Sequence, residues 1–507
     1  MSADDASRGP QRLLALAALL FSAALVLLLT TVPLADNDTW LLMKVGEMIV
    51  DTGKIPQDVL FAFTTVRENH FNSHEWLVSV VLHGLNRLLG EEHLMWAVGV
   101  FALVQFGLCV ALARRLSGSL DVAVLLALLA MVCAHSRYVL RPEIFALLYL
   151  VLLLMVLEHY RRERRWKVLL WTLPLTLLWV NSHGSFLLAP GIAGIFAFGE
   201  GLTAAAGQEG RPTARLAAGW RAGRPYAAAM LGMLAVCTIN PAGWHILAFP
   251  FQLQSSTAMK AVISEWLPTF SSKFIGSRAF WIFMVVGMAA LGLLAWRRRH
   301  LGVTDAILFA LFLGLACSRN RHIVWFGFVA LFVCARLLSN VDITRRLQGL
   351  LQLGTAGLAA AGLALCTLFG NANEARIYFA PSFNFSPAMI AELADPAMKG
   401  RVLTSYELGC ELIYRDWPRL QPSIDSRVDS YGDLYLLFHM QLMRDEKLLN
   451  LFLQGNRVNY MLLVRRDFDN NVRNMASIHD EWHIRLATGG AYLLERRHPL
   501  PAEGDAR

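Results

Sequence analysis

Residues 13–34, LLALAALLFSAALVLLLTTVPL, form an uncharged apolar run that ends directly before ADNDTW, residues 35–40. A helix needs about 20 apolar residues to cross the hydrocarbon core of a bilayer. Comparable runs recur as far as Leu368, and 56% of the 507 residues are hydrophobic while 17% are charged. Soluble domains contain about 25% charged residues. The sequence therefore predicts a polytopic α-helical membrane protein, whose first run is too long for the core of a secretory signal and is expected to remain as the first helix.

The positive charges lie mainly in short loops between the apolar runs. The net charge is +8, and arginine-dense loops occur at 114–118, 160–167, 205–224, 297–300 and 341–346. Cytoplasmic loops of membrane proteins carry such an excess of arginine and lysine. All of these loops fall on one side only if segment 75–89 lies along the membrane surface instead of crossing it. The distribution argues against a nucleic-acid partner and predicts two outer-surface helices, at 39–51 and 75–89, in the first outer loop.

This topology gives about eleven transmembrane helices, with the N-terminus in the cytoplasm and the C-terminal part outside. The predicted spans are 13–34, 93–113, 119–137, 143–159, 167–182, 184–204, 225–243, 277–296, 302–318, 321–340 and 347–369. Charged residues return after about residue 370, and strands are predicted at 401–404, 410–414, 460–464, 482–487 and 491–495. We therefore expect a transmembrane domain over 1–370, with its first outer loop at 36–92, and an extracytoplasmic soluble α/β domain over 371–507.

Polar residues collect at the ends of the apolar runs on the predicted outer side. Arginines there oppose the usual charge bias, and an arginine kept inside a membrane region usually has an anionic partner. That partner could be a carboxylate of the protein or a phosphate, which arginine binds bidentately. Carboxylates together with Arg and His suit transfer from a lipid-linked phosphate, because cations neutralise the leaving phosphate and a carboxylate accepts the proton of an attacking hydroxyl. The candidate residues are Asp36, Asp38, Asp58, His74, Glu75, Arg141, Glu143, His183, Glu265, Arg321 and His322.

Each candidate also has a structural interpretation. Asp36 and Asp38 could cap the following helix, and RPE at 141–143 has the pattern of a helix start with Pro in the first turn. His183 could serve only the tight turn between two helices. The sequence at His74 lacks the second His of HExxH, which argues against a zinc protease. The seven cysteines show no CxxC spacing, and most lie within apolar runs, as small buried side chains do.

An ordered series of motifs extends from residue 36 to residue 432. It comprises DNDTW at 36–40, GKIPQDVLFAFT at 53–64, HFNSHEWL at 70–77, RPE at 141–143, NSHG at 181–184, NPAGW at 240–244, EW at 265–266, RH at 321–322 and IDSRVDSYG at 424–432. This series resembles the bacterial multi-spanning glycosyltransferases of the GT-C fold, which are related to the protein O-mannosyltransferases and the aminoarabinose–lipid A transferases. Leu41 stands where a second Trp is usual, and Val59 and Ala62 stand where Pro and Ser are usual.

The resemblance implies transfer of a sugar, with inversion, from a polyprenyl-phosphate donor at the outer face of the bacterial inner membrane. The acceptor would be a lipid, a glycan or a protein. The resemblance further implies that Asp38 is the general base and Asp36 its neighbour, or that the two carboxylates hold a divalent cation. By the same resemblance, Arg141, His183, Arg321 and His322 would bind the phosphate. Further substrate contacts would come from Asp58, His74, Glu75, Glu143 and Glu265.

Other functions remain open alongside this one. An O-antigen ligase or polymerase also joins lipid-linked glycans outside the membrane, but it depends on Arg and His in a late outer loop, whereas the acidic loop here is the first. A lipid or glycan transporter usually shows repeats and broken helices at mid-membrane depth, and the sequence shows no repeat. A non-catalytic envelope-assembly protein is a third alternative. In the C-terminal domain, Asp425, Arg427 and Asp429 could face the site or form a buried salt-bridge cluster.

Overall fold

The computed structural model describes residues 3–31, 36–57, 61–64, 74–255, 264–339, 341, 345–370, 385–427 and 431–500. In chain order its helices are α1 (Ala3–Thr30), α2 (Asn37–Thr52), α3 (Trp76–Leu89), α4 (Leu94–Ser117), α5 (Leu120–Ala134), α6 (Pro142–Glu163), α7 (Thr172–Val180), α8 (Leu188–Gly207), α9 (Pro212–Cys237), α10 (Phe249–Ser255), α11 (Arg278–Trp296), α12 (Val303–Ser318), α13 (Ile323–Leu337), α14 (Arg345–Gly370), α15 (Pro387–Leu393), α16 (Gly409–Asp416), α17 (Gly432–Leu442), α18 (Glu446–Gly455), α19 (Arg465–Asp467) and α20 (Ala476–Glu481). The strands are β1 (Gly400–Thr404), β2 (Leu420–Pro422), β3 (Tyr460–Val464), β4 (Trp482–Ala487) and β5 (Ala491–Arg496).

The chain divides into two compact units, which are described separately. The first, called the helical unit, comprises Met1–Val32, Glu92–Pro250 and Ile263–Phe379. The second, called the sheet unit, comprises Pro33–Glu91, Phe251–Val262 and Ala380–Arg507. These units divide the chain differently from the predicted boundary at residue 370, because the first loop groups with the C-terminal segments and not with the membrane helices.

Every predicted span coincides with a helix of the helical unit, although the span at 167–182 combines the 3-10 turn Trp166–Trp171 with α7. Within the described residues, eight helices are long and apolar enough to cross a membrane. Three further apolar helices, Trp76–Leu89, Trp166–Val180 and Val303–Ser318, are shorter. The protein is a polytopic α-helical membrane protein, as predicted. The number of eleven crossings and their orientation stay predictions.

Helix α13 lies at the centre of the helical unit. Of its residues, only Arg336 is not buried, and a helix that is apolar all round belongs in a protein interior. It packs against α4, α5, α11 and α12, and the ring of Phe326 lies 5.6 Å from that of Phe283 and 5.4 Å from that of Phe309. The helix therefore fixes the position of Arg321, just before its first residue, and of Arg336, in its last turn.

A five-stranded sheet with the order β2-β1-β3-β5-β4 forms the centre of the sheet unit. Strand β1 is parallel to β2 and β3, whereas β5 is antiparallel to β3 and β4. All residues of β3 are buried, and its side chains alternate between two apolar clusters. Met461 and Leu463 belong to one cluster, and Leu462 and Val464 to the other, as the two-residue period of a strand requires. The small C-terminal α/β fold agrees with the prediction.

Helices α2 and α3 match the two helices predicted in the first loop, and α2 packs against both α3 and α16. A Cβ atom at Gly46 would lie 2.0 Å from the carbonyl oxygen of Ser79, so the α2–α3 contact requires glycine at this position. On the side of α2 that faces α16, the ring of Trp40 lies 5.2 Å from that of Tyr414, and the Arg415 guanidinium lies 4.9 Å from the Trp40 ring. The first loop is thereby part of the core of the sheet unit.

One predicted strand is wrong. Residues 410–414 lie in helix α16, where Nε of Arg415 donates a 2.9 Å hydrogen bond to Glu411 four residues earlier. Such an i,i+4 acid–base pair stabilises a helix, and a short apolar run alone does not distinguish a strand from a buried helix. The three-residue strand β2 was not predicted.

Candidate active site

Asp36 caps helix α2 within the sheet unit. Its backbone is extended, with φ −101° and ψ 124°, and its Oδ1 accepts a 2.8 Å hydrogen bond from the backbone N–H of Asp38. Asp38 lies in the first turn, where the helix dipole favours a negative charge. Both side chains are half-buried. Asp36 therefore has the capping role that was considered for both acids. Its hydrogen bond to the backbone N–H of Asp38 fixes the position of Asp38.

The surroundings of Asp38 come from the C-terminal part of the chain. Nδ2 of the neighbouring Asn37 donates a 2.7 Å hydrogen bond to the carbonyl oxygen of Tyr406. Burial raises the pKa of the Cys410 thiol well above its usual range, and the negative charges of Asp425 and Asp38 add to this increase. Asp38 is thus close enough to the start of α16 to act electrostatically on Cys410. The first-loop motif and Asp425 of the motif at 424–432 thus both act on the start of α16.

Asp425 and Arg427 form a buried ion pair. Oδ2 of Asp425 lies 2.6 Å from Nη2 of Arg427 and its Oδ1 lies 2.9 Å from Nε, with exposures of 0% and 4%. The Arg427 guanidinium also lies 4.9 Å from the centre of the buried Phe61 ring. These contacts support the structural interpretation of Asp425 and Arg427. Asp429, the third residue of the predicted set, lies outside the described residues.

The structure describes only some of the first-loop residues that were considered for a metal site. Nε2 of His74 lies 3.5 Å from Oε1 of Glu75, just before α3, and Asp58 lies outside the described residues. Among the residues that the structure describes, no group of three His, Cys, Asp or Glu side chains could hold a metal ion. Asp36 and Asp38 supply carboxylate oxygens, the ligands that hard cations prefer. The metal role of these two residues stays a prediction, and we derive no step through a cation.

The second group of candidates belongs to the helical unit and is called the Glu265 cluster. Nη1 of Arg137 and Nη1 of Arg141 each lie 2.6 Å from Oε1 of Glu265. Nε of Arg137 donates a further 2.6 Å hydrogen bond to Oε2 of Glu143, which is 2% exposed. The cluster consists of Arg137, Arg141, Glu143, Glu265, Trp266, Arg319 and Arg321. Four arginines thus surround two carboxylates, which leaves an excess of positive charge.

The arginines keep Glu265 ionised. Burial alone would raise the pKa of this carboxyl, but the positive charges of Arg137 and Arg141 outweigh burial and hold the pKa well below its usual range. Glu265 therefore carries its charge at any physiological pH. It positions Arg137 and Arg141 and is a poor acceptor for a substrate proton.

Arg321 differs from the other arginines of the cluster in its partners. Its guanidinium lies 4.5 Å from the centre of the Trp266 ring, a distance suited to a cation–π contact. The ion pairs of the two carboxylates within the described chain are with Arg137 and Arg141, not with Arg321. Arg319 instead donates a 2.6 Å hydrogen bond to the carbonyl oxygen of Trp266. Arg321 therefore contacts an aromatic face, and among the described residues it forms no ion pair with either carboxylate of the cluster.

The two predicted histidines lie next to these turns and are held by local hydrogen bonds. Nδ1 of His183 accepts a 3.1 Å hydrogen bond from the backbone N–H of Ser185, so in the neutral ring the proton lies on Nε2. His183 also lies 6.4 Å from the ring of Trp325, in the first turn of α13. Nδ1 of His322 lies 3.1 Å from the carbonyl oxygen of Leu315, so this nitrogen donates. A neutral His322 then presents a lone pair at Nε2 and could donate to a phosphate only when protonated.

The structure brings together Arg141, Glu143, Glu265 and Arg321, as the sequence predicted. It adds Arg137, which was not among the predicted binding residues although it contacts both carboxylates of the cluster. The sequence did contain a signal for Arg137. This arginine lies in a predicted outer turn, where arginine is uncommon, and it is only six residues before Glu143. Asp36, Asp38, His74 and Glu75 belong to the sheet unit instead.

No protein-family model and no curated protein matches this sequence. The structure nevertheless has the fold of the GT-C integral-membrane glycosyltransferases, which confirms the resemblance at the level of the fold. One similar structure is ArnT from Cupriavidus metallidurans bound to undecaprenyl phosphate, with 12% identity, a TM-score of 0.52 and coverage of 95% of this chain and 97% of that chain. Another is the oligosaccharyltransferase AglB from Archaeoglobus fulgidus with an inhibitory peptide and a dolichol-phosphate, with 12% identity, a TM-score of 0.58 and coverage of 89% and 69%.

Proposed function

We propose that the protein is a glycosyltransferase that moves a sugar from a polyprenyl-phosphate donor to a lipid, glycan or protein acceptor, at the outer face of the bacterial inner membrane. The observation that carries this proposal is the Glu265 cluster with its excess of arginine. The GT-C fold supports it, because two structures with this fold contain a polyprenyl phosphate, namely undecaprenyl phosphate in ArnT and dolichol-phosphate in AglB.

The helical unit would bind the phosphate of the donor. Arg321 supplies N–H donors that no described carboxylate of the cluster engages, and the planar guanidinium matches the geometry of a phosphate. Arg137 and Arg141 are fixed by Glu265 and raise the local positive potential. As the bond between the sugar and the phosphate breaks, these charges stabilise the negative charge that develops on the leaving phosphate.

Asp38 would supply the proton acceptor. An acceptor hydroxyl attacks the anomeric carbon from the face opposite the phosphate, so the new carbon–oxygen bond forms with inversion. The bonding pair of the old carbon–oxygen bond leaves with the polyprenyl phosphate, and the hydroxyl proton passes to the carboxylate of Asp38. Asp36 acts as a positioning residue, because its Oδ1 holds the backbone N–H of Asp38. General-base catalysis of this kind contributes about 10²–10⁴-fold in rate.

The capping geometry allows a sharp test of these roles. Asn caps a helix about as well as Asp, so Asp36→Asn keeps the turn, whereas Asp38→Asn removes the proposed base. We expect Asp38→Asn to reduce transfer at least ~100-fold and Asp36→Asn to retain most activity. Asp51→Asn, at the exposed last turn of the same helix, serves as the matched control. The measurement is mass spectrometry of envelope lipids, glycans and proteins in a deletion strain that expresses each variant at equal abundance.

The outcomes distinguish the alternatives. Unchanged glycosylation with Asp38→Asn would overturn the assignment of the base. A deletion strain whose envelope glycans do not differ from those of the wild type in any fraction would overturn the proposed transfer as a whole. A strain that accumulates a complete lipid-linked glycan on the cytoplasmic side of the membrane would instead indicate a transporter.

A further inference from the structure

A pocket of about 380 Å³ opens in the helical unit where α4, α6, α8 and α13 end. Helix α6 begins at the Glu265 cluster and ends at this pocket, so the two sites lie at opposite ends of a helix about 33 Å long. The side chains that line the pocket and enter the argument are Glu158, Arg161, Arg162, Arg164, Glu200 and Arg336. We call this site the Glu158 pocket.

Ion pairs fix the inner wall of the pocket. Oε1 of Glu158 accepts from Nη1 of Arg336 at 2.6 Å and from Nε of Arg162 at 2.9 Å. Asp305 accepts from Nε of Arg336 at 3.0 Å and from Nη1 of Arg161 at 3.2 Å. Glu158 is fully buried, and a buried carboxylate held by several hydrogen bonds stays in one position. The wall is therefore a preformed surface.

One carboxylate oxygen in this wall lacks a hydrogen-bond donor among the described residues. Oε2 of Glu158 is buried, and no hydrogen-bond partner for it exists among the described residues. Nη1 of Arg161 lies 3.9 Å from this oxygen, which is too far for a hydrogen bond. A buried oxygen of this kind is costly unless it receives a donor. Because Glu158 lines the pocket, a small shift of its side chain would let a hydroxyl or ammonium group of a ligand supply the missing donor.

Two arginines lie at the mouth of the pocket, and one of them, Arg164, is held only weakly. The side chain of Arg164 is 53% exposed, and its Nη2 lies 3.8 Å from Oε2 of Glu200. The side chain of Arg162 is 37% exposed and donates to Glu158 and to the carbonyl oxygen of Arg115. Long exposed ion pairs contribute little free energy, so an entering phosphate could replace the weak Arg164–Glu200 contact at small cost.

Exposed tryptophans adjoin the arginines of three predicted cytoplasmic loops. Trp166, Trp220 and Trp296 are 60%, 66% and 67% exposed, and each directly adjoins an arginine in the sequence. Tryptophan collects at the membrane–water interface, where its apolar ring and its N–H group are both accommodated. A ligand of the Glu158 pocket would therefore be available from the lipid surface.

We propose that the Glu158 pocket binds the headgroup of a membrane phospholipid that combines a phosphodiester with a hydrogen-bond donor. The phosphodiester is held by Arg162 and Arg164, and the hydroxyl or ammonium group of the same headgroup donates to Oε2 of Glu158. Basic pockets between membrane helices bind lipid headgroups. The carboxylates that line this pocket oppose a free, multiply charged phosphate, whereas a singly charged phosphodiester with its own donor matches both signs of charge.

The lipid itself provides the first test. The full-length protein is studied by native mass spectrometry after exchange into phosphatidylglycerol, phosphatidylethanolamine or phosphatidylcholine. Phosphatidylcholine carries the same phosphodiester but its quaternary ammonium cannot donate a hydrogen bond. We expect phosphatidylglycerol and phosphatidylethanolamine to be retained roughly tenfold better. Equal retention of phosphatidylcholine would overturn the proposal, and this comparison needs no variant.

Variants and a soluble competitor locate the site. Arg162→Gln with Arg164→Gln is expected to remove the preference, while Arg298→Gln with Arg299→Gln, which neutralises two exposed arginines outside the pocket, leaves it unchanged. The same loss in both double variants would show a general charge effect and would overturn the assignment. Glycerophosphoethanolamine is the soluble phosphodiester headgroup of phosphatidylethanolamine. If it occupies the pocket as well as the lipid does, the lipid is overturned as ligand, because the source would then be soluble.

Discussion

The close contact between α2 and α3 at Gly46 predicts that alanine destabilises the sheet unit at this position. At Gly84, on the other helix of the same pair, alanine should stabilise it. A Cβ atom at Gly46 would lie 2.0 Å from the carbonyl oxygen of Ser79 and 2.8 Å from Cβ of His83. The first of these atoms is backbone, so the helices would have to separate by about 1.4 Å to reach an ordinary contact of 3.4 Å. On α3, a Cβ atom at Gly84 meets no described atom within 4 Å.

The magnitudes follow from these contacts. Overpacking costs about 1–3 kcal/mol, and the upper value applies at Gly46 because a backbone atom is struck. Alanine in place of a helical glycine returns about 1 kcal/mol through helix propensity. Gly46→Ala is therefore expected to destabilise the sheet unit by about 2 kcal/mol, whereas Gly84→Ala, with the propensity gain alone, is expected to stabilise it by about 1 kcal/mol.

The assay is the apparent thermal midpoint of the purified protein at one fixed scan rate, because unfolding of such proteins is usually irreversible. For a unit of about 200 residues, 1 kcal/mol corresponds to about 2–4 °C. Gly46→Ala should lower the midpoint by about 4–8 °C and Gly84→Ala should raise it by about 2–4 °C. Midpoints that move in the same direction in both variants would refute the close approach of α2 and α3 at Gly46.

Three further predictions use single side chains. Arg321→Gln should weaken retention of polyprenyl phosphate roughly tenfold, measured by native mass spectrometry. Arg319→Gln should change retention little, because that side chain donates to a backbone carbonyl. Equal effects of the two variants would contradict the role of Arg321. Burial lowers the pKa of His439 to about 4, so the unfolded state binds the proton first, and the stability present above pH 6.5 is lost as the pH falls towards 4. The free energy of unfolding should fall by about 2 kcal/mol between pH 7 and pH 5, and this fall should be absent in His439→Gln. Thermal midpoints with the same pH slope in both proteins would contradict the role of His439. Asp425→Asn should destabilise the sheet unit by about 3 kcal/mol, because it removes the carboxylate charge that pairs with the buried guanidinium of Arg427, and a thermal midpoint equal to that of the wild type would count against the buried pair.

The helices of this protein were predictable because hydrocarbon thickness fixes their length and apolar composition. The helices of the first loop were predictable for a related reason, since Gly53 and Pro56 end the periodic segment that becomes α2. The assignment of that loop to the sheet unit was not predictable, because the contact of Trp40 with Tyr414 joins residues far apart in sequence. Sequence patterns report local periodicity and do not specify such pairings.

The Glu265 cluster shows the same limit at the level of side chains. The charge bias indicated that Arg141 and Arg321 have anionic partners, and the structure gives Arg141 a carboxylate while Arg321 contacts an aromatic ring. The choice between a carboxylate and Trp266 depends on differences of a few ångströms in side-chain position. These differences follow from the packing of α13 and are not encoded in the local sequence. The distribution of charge predicted the members of the cluster better than their roles.

The grouping of α2 and α3 with the C-terminal sheet has a consequence for biosynthesis. About 290 residues separate the end of the first loop from the first described residue of the C-terminal segment, Phe385. At about 5–20 residues per second, the ribosome needs roughly 15–60 s to make them. During this interval the side of α2 that contacts α16, which includes Trp40, lacks its final partner. A nascent chain that stops before α16 would therefore display this surface to chaperones and proteases, and the turn that holds Asp38 matures only when translation is nearly complete.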